Sequence, residues 1–144
     1  MQNIKAIFHK ISYIQYPLVV VSMVYYVLFI ISMSNKAPDW QLLNNVLLFY
    51  GISLSFSTLQ DTTKTQNKFS RKIWEHPKKG KRMLFIIVLL MVVLLVAGII
   101  GMFGSTATIH REVSMGLIVL AIGLMGILKS ASEMFENHRL DKNS

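Results

Sequence analysis

His110, Arg111 and Glu112 stand together in one short polar stretch, a set of titratable side chains that could bind a ligand or sense pH. A structural role accounts for the same residues. Glu112 precedes an apolar run, where it would sit near the positive N-terminal end of a helix, and Arg111 would balance it. His9, His76 and His138 lie in different polar segments with no i, i+4 pair, so no metal site is expected. The chain has no cysteine, which removes thiolate ligands, disulfides and a cysteine nucleophile. There is no Ser/His/Asp set, glycine-rich phosphate loop or pair of catalytic carboxylates. Asp61, Glu112 and Glu133, the acidic residues near the ends of apolar runs, each have a basic neighbour. The expectation is a protein that is not an enzyme and has no cofactor.

The apolar runs contain no ionisable residue. In a membrane protein such a residue would be the default sign of a proton relay, a cation site or a voltage sensor, so these functions are disfavoured. Hydroxyls remain. Ser53, Ser55 and Ser57 crowd the inner half of the second run and could line a polar path if copies assembled around a lumen. A second feature is strongly basic. Between residues 60 and 82, Lys64, Lys68, Arg71, Lys72, Lys78, Lys79, Lys81 and Arg82 face only Asp61 and Glu75, and Phe69, Ile73 and Trp74 give the segment an apolar side. That combination predicts a helix over 64–74 lying on anionic headgroups, or a basic face offered to a soluble partner.

The elements that position these groups follow from hydropathy. Of 144 residues, 53% are hydrophobic and 15% charged, and mean hydropathy is +0.49. Charge-free stretches alternate with short polar ones, a membrane pattern rather than a soluble-core pattern. Four spans are expected in a single domain: residues 14–33, 42–59, 83–103 and 113–128, with a basic loop at 60–82 and a tail at 129–144. The first run is long for a secretory signal and is expected to be retained. The second is the most polar, with Asn44, Asn45 and its serines, so its polar face should meet other helices.

Charge orients the spans. The net charge is +8, and 13 of the 15 Lys and Arg residues fall on one side if the N-terminus is cytoplasmic. The positive-inside rule then places both termini and the basic loop in the cytoplasm. The same asymmetry explains the basic balance without nucleic acid, for which no binding fold is evident. The Lys-, Asn- and Ile-rich composition suggests a bacterium, hence its cytoplasmic (inner) membrane.

The fold class expected is therefore an all-α integral membrane protein of two hairpins. A shift of 72 residues superposes Gly51 on Gly123 and Asp61 on Glu133. The organisation resembles, in topology alone, small bacterial inner-membrane proteins built from paired two-helix units, such as the YiaA/YiaB group; the resemblance implies no activity.

Small residues supply the packing signal. Ala97, Gly98, Gly101 and Gly104 in the third span, and Gly116, Gly123, Gly126 and Ser130 in the fourth, form smooth stripes that let backbones approach. They predict packing of the third span on the fourth, or a homo-oligomeric contact. The leading functional expectation is a subunit, scaffold or regulator acting through helix–helix and anionic-lipid contacts, with membrane lipids and a homo-oligomeric or other membrane-protein partner. An oligomeric pore comes second, and a transporter or membrane enzyme third.

Overall fold

The computed structural model describes residues 2–59, 72–104 and 108–140. Five α-helices are described: α1 (Gln2–Ser12), α2 (Gln15–Ser34), α3 (Trp40–Ser57), α4 (Pro77–Phe103) and α5 (Thr108–His138). No strand occurs among the described residues. Three stretches are long and apolar enough to cross a membrane: residues 7–34, which join α1 to α2, then α4, and residues 111–138 of α5. The chain is thus an all-helical protein with membrane-spanning character. α3 is not among the three, because Asn44, Asn45 and its serines lower its hydropathy.

Local chemistry sets the helix ends. The α1–α2 junction follows from Pro17. Proline has no N–H to give the Tyr13 carbonyl, so that carbonyl accepts from the Tyr16 N–H at 3.1 Å instead. The neighbouring bonds, Tyr13 N–H to Lys10 O and Ile14 N–H to Ile11 O, are also of the tight i, i+3 kind. At its other end α2 stops in a Schellman motif: Lys36 adopts φ 57°, its N–H bonds Met33 O, and the Ala37 N–H bonds Ser32 O. The Ser32 hydroxyl also accepts from the Asp39 N–H, and the Asp39 carboxylate caps α3 by accepting from the Gln41 N–H at 3.0 Å. Pro77 opens α4 in its first turn, where no intrahelical N–H is needed.

The helices form a row. α2 packs on α3, α3 on α5, and α5 on α4. The central contact joins positions 72 residues apart. The Asn44 side chain accepts from the Gly116 N–H at 2.7 Å, Gly51 lies against Gly123, and the Ser130 hydroxyl donates to Thr58 O at 3.2 Å. These three contacts are spaced two helical turns apart and proceed in the same chain direction along both helices, so α3 and α5 run parallel. A stripe repeating every seven residues keeps one side of each helix toward the other. Equivalent positions meeting one another is the geometry of a two-fold axis between the hairpins. The 72-residue offset visible in the sequence therefore marks a spatial relationship.

The two hairpins are filled differently. In the first, Tyr25 stacks on Phe49 with centroids 5.5 Å apart, and Phe29 tilts against Trp40 at 5.8 Å. The positions equivalent to Tyr25, Phe29 and Phe49 in the second are Ala97, Gly101 and Ala121. Rings hold the first hairpin together, and close backbone approach holds the second. The side chain of Ile118 and the backbone carbonyl of Ser114 crowd Gly98.

α2 and α4, at the ends of the row, turn apolar faces outward. Val20, Met23, Val24 and Val27 on α2, and Phe85, Leu89, Val93 and Ile100 on α4, are all exposed. An apolar surface of this extent is characteristic of a membrane-facing protein. α3, between α2 and α5, buries Asn44 and Ser53, so its polar face does meet other helices.

Candidate functional site: the basic end of the bundle

α4 has 27 residues and α5 has 31, so they measure about 40 Å and 46 Å at 1.5 Å per residue, against roughly 30 Å of hydrocarbon. Both therefore project beyond an apolar core. The projection is at the N-terminal end of α4 and the C-terminal end of α5, where helix continues past residue 128 to His138. Here Trp74, Ile87, Ala131 and Phe135 form a buried cluster, with Ile73, Leu84 and Met134 packed around it. The Phe135 ring lies directly on Gly80, where no Cβ intervenes. The Leu140 N–H donates to Glu75 O at 3.2 Å, tying the end of the described chain to the segment before α4. Arg139 stacks over Phe135 and pairs with Glu136 at 3.3 Å.

On this platform Lys72, Lys78, Lys79, Lys81 and Arg82 are all exposed. Five cations thus share one end of the bundle, next to the apolar face that begins at Met83 and Phe85. Lys64, Lys68, Phe69 and Arg71 lie outside the described residues, so the helix expected over 64–74 is described only at residues 72–74. One expectation for that segment is corrected. Trp74, taken from its spacing as a lipid contact, is 8% exposed and packs inside the protein, and Ile73 is half-buried beside it. The reason is tertiary: Gly80 and Ala131 are small enough for the Phe135 and Trp74 rings to fit between the helices.

The small-residue stripes divide by partner. Gly116, Gly123, Gly126 and Ser130 meet α3, not α4: a Cβ at Gly116 would fall 2.8 Å from Asn44 O, and one at Gly126 would fall 2.8 Å from Thr58. Gly98 meets α5, whereas Gly104 ends α4 with Ile100 of its own helix as its nearest described neighbour. Ala97 and Gly101 border an open apolar cavity of about 440 Å³ between α3, α4 and α5, lined also by Trp40, Leu43 and Leu117. This is where the second hairpin lacks the rings of Tyr25 and Phe29. Asn44 belongs to the polar face that the second span was expected to turn toward other helices, whereas Gly80 lies before the third span and outside both stripes. Gly51 entered only through the 72-residue shift, although it is the residue that Gly123 touches.

The serines do not share a face. Ser53 is buried and donates to Gln15 O at 3.0 Å, toward α2, while Ser55 is exposed and donates to Gly51 O at 3.2 Å. Ser57 donates to Leu54 O at 2.8 Å. Arg111 and Glu112 are exposed at the opposite end of the bundle. Among the described residues no group of His, Asp and Glu could hold a metal ion. Compared with protein-family models, with curated proteins and with solved structures, the chain matches none, so its functional reading rests on its own residues.

Proposed function

We propose that this chain is a small, non-enzymatic, multi-pass protein of the bacterial cytoplasmic membrane. It has four spans in two hairpins with both termini inside, and works as a subunit, scaffold or regulator through helix–helix contact and anionic lipid. The observation that carries this reading is the basic end: five exposed cations on a platform fixed by Trp74 and Phe135, beside a lipid-facing α4. Each cation near an anionic surface contributes about 1 kcal/mol, so the five together favour the inner leaflet strongly. α3 qualifies as the fourth span because its two buried polar side chains, Ser53 and Asn44, bond to α2 and α5. The pore reading has less support, since the three serine hydroxyls are engaged by backbone carbonyls on more than one side of α3.

Two measurements test this. In nanodiscs of mixed anionic and zwitterionic lipid, the full-length protein should retain anionic lipid preferentially. The K78Q/K79Q/K81Q/R82Q variant should lose most of that preference, and equal retention by both would remove the lipid reading. For orientation, single cysteines replacing Lys36 or Thr108 should react with an impermeant reagent from outside, and one replacing Lys68 should not; outside labelling at Lys68 would invert the topology.

A further inference from the structure

We propose that α1 is an interfacial foot: an amphipathic helix lying in the headgroup layer of the anionic leaflet, with Ile7, Phe8 and Ile11 toward the acyl chains. The inference rests on the orientation proposed above only for the choice of leaflet. The 20 residues of α2 already span about 30 Å, so α1 lies beyond the hydrocarbon core. Within α1, Ile7, Phe8 and Ile11 recur at the spacing of one helical face, with His9 and Lys10 off it and no acidic residue in the helix. Among the described residues that apolar face has no partner of matching size. Ile7 is 55% and Phe8 47% exposed, and among the described elements α1 packs lightly on α3.

Two observations identify lipid as the occupant. The exposed apolar surface is continuous: it runs from Ile7 and Phe8 through Tyr13, Ile14 and Tyr16 onto the lipid-facing side of α2 at Val20. Tyr13 and Tyr16 stand between the two, with His9 edge-on to Tyr13, at the level where amphipathic rings favour the interface. Charge is complementary as well, because Lys5 and Lys10 match the cations at the α4 end in sign and would lie on the same leaflet. The tight i, i+3 bonds at residues 10–16, one of them at the carbonyl that Pro17 leaves free, interrupt the regular hydrogen-bond ladder between α1 and α2 and free α1 from continuing the axis of α2.

The chain has no native cysteine, so site-directed spin labels can be placed one at a time in the full-length protein. Labels on I7C and F8C, in vesicles containing anionic lipid, should be accessible to oxygen and shielded from a water-soluble nickel reagent. A label on H9C should show the reverse preference. Removing both lysines (K5Q/K10Q) should lower the ratio of immobilised to mobile signal at position 8, by about fivefold for each charge. Equal nickel accessibility at 7, 8 and 9 would overturn the proposal, as would spin–spin broadening at 7 and 8, the sign of a second copy on that face. An impermeant thiol reagent on K10C reports the leaflet separately: outside reaction would refute the orientation while leaving the interfacial helix standing.

Discussion

Gly123 lies with its Cα against the carbonyl of Gly51, backbone on backbone, at the centre of the contact between α3 and α5. A Cβ on Gly51 would in turn fall 2.8 Å from the backbone of Val119 and Leu120. Neither obstruction is a side-chain tip that can rotate away, so a methyl group at either position must part the helices. G123A and G51A are each expected to destabilise the bundle by about 1–3 kcal/mol, as overpacking does. G104A, whose Cβ would fall 3.1 Å from Ile100 O of the same helix, should cost less. Unfolding in mild detergent, followed by circular dichroism, checks this; equal tolerance at the three positions would remove the close contact.

Asn44 is buried and accepts from the Gly116 N–H, whereas Asn45 beside it is only half-buried. N44A should cost about 0.6 kcal/mol, the mean for interhelical hydrogen bonds in membranes, and no more than about 1.7 kcal/mol, the largest such value. N45A should cost less. A larger loss at Asn45, in the same unfolding assay, would contradict the assignment of Asn44 to the interface.

Ala97 borders the cavity at the position equivalent to Tyr25. A97L should fill part of that space and stabilise by about 0.5–2 kcal/mol, the usual return on cavity filling. G98A should destabilise, because its Cβ would lie 2.7 Å from Ile118 and 3.1 Å from Ser114 O. Destabilisation by both would mean that the cavity closes in the membrane.

Trp74 becomes the sole tryptophan in W40F. Its emission should be blue-shifted and resistant to a water-soluble quencher in vesicles of any charge, because protein rather than lipid surrounds it. A blue shift that appears only with anionic lipid would return Trp74 to the headgroups.

Lys36 holds φ 57°, a left-handed conformation that costs a side-chain-bearing residue about 1–2 kcal/mol. K36G should therefore raise stability by about 1 kcal/mol, and K36V, with a β-branched side chain, should lower it. Thermal unfolding of the two variants side by side reads the difference.

The sequence alone determined the all-helical class and the apolar character, because both depend on local composition, above all the long uncharged runs; it did not fix the helix ends, since the helix expected over 83–103 begins at Pro77 and runs through Gly80. The basic segment at 60–82 was legible for the same reason. Partner choice was not. Glycine spacing shows that a helix can be approached closely but not by which neighbour, and the stripe on α5 met α3 because the two hairpins pair about a local two-fold axis. Nor could spacing settle Trp74, since an apolar face on a basic helix suits a bilayer and a protein groove equally. Tertiary structure decided for the groove, where Gly80 and Ala131 leave room that larger residues would have filled.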